Sequence, residues 1–149
     1  MREILFKGKA KGGRWNGWIE GDLIHYKNGQ AAIVEVPFSK YGCEATEIVK
    51  RTEVIPETIC QYTGLTDKNG NKIWENDVVK LTRNVGYKST KGRKFKVYFN
   101  NFLCHFALSF GQEENEAFDY MELSGKKASI IEVVGNIFDN PELLEEGAE

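Results

Sequence analysis

Asp67, Glu75 and Asp77 crowd together with Asn69, Asn71 and Asn76 in one short run, "CQYTGLTDKNGNKIWENDVVKL", Cys60 to Leu81. Two chemistries are open to such a cluster. Asp67, Asn69 and Asn71 fall on the first, third and fifth places of an EF-hand calcium loop. That loop needs glycine at its sixth place and a bidentate glutamate at its twelfth, where this chain has Lys72 and Val78. Without the final carboxylate the site lacks two ligand oxygens and most of its charge. Acid–base catalysis asks instead for carboxylates held in contrasting environments. Glu75 and Asp77, two apart, share one face of a strand, and no nucleophile–base pair, phosphate loop or HExxH helix accompanies them.

The remaining reactive side chains point the same way. His25 precedes a hairpin turn, and His105 lies on the more polar side of a strand pattern, ordinary positions for a structural or solvated imidazole. Cys43, Cys60 and Cys104 are odd in number and widely spaced, with no CxxC pair and no histidine at zinc spacing. They read as reduced, mostly buried thiols of a cytoplasmic protein. No catalytic residue, metal ligand or cofactor is expected. A metal-dependent hydrolase built on Asp67, Glu75 and Asp77 is the least favoured function, because turn chemistry accounts for all three.

Binding leaves clearer marks. Between Arg83 and Lys96 the chain carries six basic residues and no acid, in a protein of net charge −2. Arg83, Lys88, Lys91, Arg93, Lys94 and Lys96, with Tyr87 among them and Tyr98 just beyond, form a candidate nucleic-acid contact. Cations there would release counterions from phosphates and an aromatic would stack on a base. The competing reading is a solvated hairpin loop that maintains solubility. From Glu113 to Glu149 eleven acids face two lysines; this asymmetry also suits head-to-tail association or a protein partner. Trp15 and Trp18, three apart, fall on opposite faces of a strand, so one of them is a candidate partner-binding anchor unless a second layer covers both.

The elements that would position these residues are mostly strands. A chain of 149 residues with 41% hydrophobic and 12% aromatic content builds a core of one domain or two small subdomains. Glycines punctuate short apolar runs, the pattern of an all-β protein. In "FKVYFNNFLCHFALSF" Phe95, Val97 and Phe99 alternate with Lys96 and Tyr98, and Asn100-Asn101 reads as a two-residue turn. Phe102, Cys104, Phe106, Leu108 and Phe110 then line one face of the return strand. Further turns are expected at Gly12-Gly13, Asn28-Gly29 and Asn69-Gly70. "REILFKGKA" and "ASIIEVVGNIF" read as further strands. Asp77 is expected to accept bonds from nearby backbone amides, and Asn76 to hold a left-handed backbone position usually left to glycine. Only the tail reads helical, with Asn140 as cap, Pro141 at the first position and Gly147 as the stop. The N-terminus lacks the apolar core of a signal peptide, and no apolar window is long enough to span a membrane.

Four separated segments carry a family resemblance. "REILFKGK", "VIPETICQ", "CQYTGLTDKNGNKIWENDVV" and "IEVVGNIFDNPELL" occur in the order found in the YopX family of phage and prophage proteins, and the first and last of them bracket most of the chain, residues 2 to 144. Cys60, Trp74, Asn76 and Phe138 stand where the family pattern has Gly, Tyr, Gly and Tyr. The resemblance implies a phage- or prophage-encoded, cytoplasmic, mainly β protein: antiparallel strands, an SH3-like barrel portion and a short C-terminal helix. The expected layout is an N-terminal β-subdomain over residues 1–56 and an SH3-like subdomain with the helix over 57–149. Gln61, Gly64, Asp67, Asn69, Gly70, Glu75, Asp77, Gly135 and Asn136 are assigned to the structural motif. The family defines no catalytic residues. The function expected is therefore a non-enzymatic binding or assembly module, in contact with nucleic acid through 83–96. The alternative is a phage–host protein-interaction factor or a homo-oligomer without nucleic-acid binding.

Overall fold

The structure, a computed structural model, describes residues 1–12, 17–35, 50–87, 89–110 and 121–145. The chain is mainly β, as its alternation predicts, and divides into two compact units, Met1–Gln61 and Tyr62–Glu149.

In the first unit β1 (Phe6–Lys9), β2 (Trp18–His25), β3 (Ala31–Glu35) and β4 (Lys50–Val54) form an antiparallel meander. A 3-10 turn, Pro56–Thr58, then leads into β5 (Cys60–Thr66), whose first two residues pair with β1. Alternate residues of these strands face one core of Phe6, Ile19, Leu23, Ala31, Ile33, Val54 and Ile59. Asn28-Gly29 turns the chain as expected: Gly29 has φ +86°, and the Asn28 Oδ1 accepts from the Gln30 amide at 3.1 Å. The meander coils until its last strand meets the end of its first. Lys11 N–H donates to Glu53 O and Ile55 N–H to Lys9 O, each at 2.8 Å, making a single Ala10–Val54 bridge. Gly21 permits the coil, since a Cβ there would run into the Val34 carbonyl oxygen.

The second unit takes the rest of β5, paired with β6 (Lys72–Trp74) around the Asn69-Gly70 turn. Five further strands make a sheet in the order β10-β9-β8-β7-β11. They are β7 (Asp77–Leu81), β8 (Lys94–Asn100), β9 (His105–Ser109), β10 (Met121–Glu122) and β11 (Ile131–Asn136). Ile73, Val79, Leu81, Phe95, Val97, Leu108 and Ile131 are fully buried in its core. Burying such side chains contributes on the order of 1.5–3 kcal/mol each, enough to make this cluster the main support of the unit. Among the described residues the five-stranded sheet has two open edges, β10 and β11, whereas in the first unit the Ala10–Val54 bridge joins the last strand of the meander back to the first.

Several expectations change. The β8–β9 connection is not a two-residue turn at Asn100-Asn101. Asn100 pairs with His105, and the turn runs from Asn101 to Cys104. The buried Asn100 Oδ1 draws in the amides of Phe102 and Leu103 at 3.0 Å each, so this side chain sets the turn length. Phe102 and Leu103 therefore stand exposed, and Cys104 adopts φ +56° outside the strand. Cys104 is also exposed, while Cys60 is buried as expected. Tyr98 is only 3% exposed, so it offers no ring to a ligand. The first strand begins at Phe6 rather than at Arg2.

The tail helix, α2, is shorter than its pattern implied, Glu142–Glu145, and Gly147 lies outside the described residues, as do Gly13, Trp15, Cys43 and Lys88. A second one-turn helix, α1 (Gly125–Ala128), was not expected. Ser124 caps it by accepting from the Lys127 amide.

Candidate functional site

The cluster that opened the chemical question is occupied with backbone. Asp67, 5% exposed, accepts on Oδ1 from the amides of Asn69 at 2.8 Å and Asn71 at 2.9 Å. On Oδ2 it accepts from the Val133 amide at 3.0 Å, and the Asn71 side-chain amide lies 3.4 Å away. Lys68 N–H donates in turn to Ile131 O at 3.1 Å. The turn thus lies along the outer edge of β11, an edge strand whose outward amide and carbonyl would otherwise face solvent. Burial works against the Asp67 charge, but the amides of Val133, Asn71 and Asn69 outweigh it and hold the carboxyl below its ordinary range.

The other motif residues also shape chain. Asp77, buried, takes the Trp74 amide on Oδ2 at 2.8 Å, and between them Asn76 sits at φ +66° as anticipated. Gly64, at φ +83°, lies in the irregular stretch where β5 and β6 lose register. Gly70 turns the hairpin at φ +84°. Gly135 marks a bulge in β11, and a Cβ on it would strike the Asn140 side chain and meet Leu143 Cδ1 at 2.8 Å. Asn136 Oδ1 accepts from the amides of Phe138 and Asp139, turning the chain out of the strand. Gln61 pairs with Phe6 across β1–β5, and Glu75 is half-buried beside the Asn76 turn. Among the described residues no three His, Cys, Asp or Glu side chains converge as metal ligands would.

The basic run divides into a loop and a strand face. Residues 82–93 connect β7 to β8, and their framework is bonded through two polar side chains. Asn84 Oδ1 accepts from the amides of Thr90 at 3.0 Å and Lys91 at 2.8 Å. Thr90, 1% exposed, accepts from the Val85 amide on its Oγ1 at 2.8 Å. At the base Gly92 N–H donates to Leu81 O at 2.7 Å, and Thr82 N–H to Ile130 O at 2.8 Å. Gly86 and Gly92, at φ +63° and +83°, supply the reversals.

This framework leaves Arg83, Tyr87, Lys91 and Arg93 exposed. Arg83 and Lys91 carry no ion pair among the described residues. The Arg93 guanidinium lies 5.7 Å from the Phe110 ring, which itself meets Phe95 edge-on. Lys94 and Lys96 are half-buried and belong to the sheet face opposite the core. Lys96 borders a cleft of about 280 Å³ with Ile137, Pro141 and Leu144, away from the loop's exposed cations.

Lys80, which the sequence did not single out, stands directly opposite Lys94 across the β7–β8 ladder. Glu132 holds it at 3.8 Å while also reaching Lys68 at 3.3 Å. The signal for Lys80 was strand register, invisible until the pairing is known. Asn84 and Thr90 had none beyond being loop polar residues.

Trp18 is half-buried on β2, with the Lys7 and Lys9 ammonium groups 4.7 and 5.4 Å from its ring centre. Its ring packs against the protein's own cations.

Set against known proteins, a family model described as YopX protein matches residues 10–145. Among solved structures, that of protein EF1440 from Enterococcus faecalis is similar in fold. Its TM-score is 0.51 at 18% identity, over 97% of this chain and 99% of that one. No curated protein matches.

Proposed function

The chain belongs to the YopX family, and from that premise we propose that it is a phage- or prophage-encoded, non-enzymatic binding module that contacts nucleic acid in the host cytoplasm through the β7–β8 loop. The observation that carries this reading is the bonded loop itself. Asn84 and Thr90 fix the backbone from within, while Arg83, Lys91 and Arg93 project outward. Backbone already fixed in this way has little further entropy to lose when the cations meet phosphates, so more of the counterion release appears as affinity. Asp67 and Asp77 of the signature are engaged with backbone amides, which supports a binding rather than a catalytic role. Among the described residues no helix is long and apolar enough to cross a membrane.

The test is the salt dependence of binding to a labelled oligonucleotide of mixed sequence, followed by fluorescence anisotropy. Contact through the three exposed cations predicts a log–log slope of about −2 on a single strand. Combined Arg83→Glu, Lys91→Glu and Arg93→Glu should abolish binding while leaving the circular dichroism unchanged. Absence of binding at low salt, or a slope untouched by the three reversals, refutes the proposal.

A second reading, a protein-interaction or homo-oligomeric factor without nucleic-acid binding, draws on the β8–β9 turn, where Phe102 is 74% and Leu103 43% exposed. Neighbouring apolar side chains held in solvent at a hairpin tip are a frequent interface feature. A defined oligomer in light scattering, dispersed by Phe102→Ser and Leu103→Ser and accompanied by no DNA binding, favours this reading over the first.

A further inference from the structure

Resting on the nucleic-acid reading above, we infer that Tyr87 is a stacking platform for one unpaired base, so that the β7–β8 loop takes single-stranded nucleic acid in preference to duplex. Tyr87 is the most exposed aromatic among the described residues, its side chain standing wholly in solvent. An aromatic ring so placed leaves its apolar faces in water, an arrangement with no folding benefit to the loop. The loop does not need the ring for its own shape. Its closure comes from Thr90 Oγ1 accepting the Val85 amide and Asn84 Oδ1 accepting the amides of Thr90 and Lys91.

Tyr87 lies between those clamped ends and directly follows Gly86, whose φ of +63° turns the chain outward. Along the loop it is flanked by the cations Arg83 on one side and Lys91 and Arg93 on the other, all exposed. A ring at the apex with cations at the base matches the two needs of a single strand, a surface for a base and charge for the phosphates on either side of it. In a duplex each base face is already stacked on its neighbours, and freeing one carries an unstacking cost. Among the described loop residues the other apolar side chain, Val85, packs on the core, so none stands beside Tyr87 as a wedge to offset that cost. Duplex would therefore meet only the cations.

The experiment compares three labelled probes of equal length, about a dozen nucleotides: a single strand, the same strand made abasic, and the blunt duplex. Wild-type protein should bind the single strand most tightly. Tyr87→Ala should weaken that binding by about 5- to 150-fold, the span that base–aromatic stacking covers on alanine substitution. It should leave the abasic strand and the duplex unchanged, and Tyr87→Phe should restore the preference because stacking needs no hydroxyl. Since the Tyr87 side chain is fully exposed, the alanine variant should keep the wild-type amide spectrum. If Tyr87→Ala binds the single strand as wild type does while the Arg83, Lys91 and Arg93 reversals still abolish binding, the stacking inference is overturned and the nucleic-acid reading stands. If wild-type protein binds none of the three probes, both are overturned.

Discussion

Replacing Asp67 by asparagine tests whether the acids of the signature are there for the backbone. Asparagine keeps the shape and one carbonyl oxygen, so the amides of Asn69 and Asn71 can still be accepted on the side that Oδ1 now serves. The side-chain NH2 then faces the Val133 amide, donor against donor. A hydrogen bond to a charged acceptor contributes about 1.5–3 kcal/mol, and an orphaned, half-buried donor costs about 1–3 kcal/mol. These overlap as descriptions of one event, so Asp67→Asn should destabilise the fold by roughly 2 kcal/mol. Asp67→Ala should cost more, though well below the sum of its bonds, because Asn69 and Asn71 are exposed and water can reach their amides.

Urea unfolding by circular dichroism gives the stability change, and hydrogen exchange at the Val133 amide locates it. The pH dependence supplies a second arm. The Asp67 carboxyl is held below its ordinary value of 3.8 in the folded chain. Its contribution is then fully present above that value and lost as pH falls through the folded value. The gap between wild type and Asp67→Asn should therefore narrow below pH 3.8. A change under about 0.5 kcal/mol at neutral pH, or wild-type protection at Val133 in the variant, would refute the reasoning.

Substitutions at two further positions test the backbone geometry. Gly135→Ala forces a Cβ into the Asn140 side chain and Leu143, and should cost about 1–3 kcal/mol in urea unfolding, with the shift perturbations centred on residues 135–144. Asn76→Val places a β-branched residue at φ +66° and should cost about 1–2 kcal/mol, whereas Asn76→Gly, the residue of the family pattern, should be tolerated. Equal stability of the valine and glycine variants would mean that φ at this position is not the constraint.

What could be read in the sequence was local. The Asn28-Gly29 and Asn69-Gly70 turns, the positive φ of Asn76 and the amide bond to Asp77 all arise within a few residues, where side-chain type sets backbone shape. The β8–β9 turn misled because strict alternation through "NNFLCHF" suggested a strand while Asn100 was capturing two amides. α1 is a single turn, too short for any periodicity to show. Tyr98 was misplaced because a period of two says which residues share a face, not whether both faces are covered. β8 buries Tyr98 and Asn100 as well as Phe95 and Val97. In the candidate site, the charges of 83–96 were plain, but their division between loop and strand face depends on where β8 begins. The bond from Asp67 to Val133 joins residues 66 apart, and no local pattern announces it.

That same bond has a bearing on synthesis. The ribosome delivers the Asp67 turn and β7 long before it delivers β11, so during the interval the carboxylate lacks its distant partner and one side of β7 is open. A nascent chain paused anywhere before Ile131 therefore exposes a ladder ready for a foreign strand. The arrival of β11, laid between β7 and the waiting turn, seals both at once.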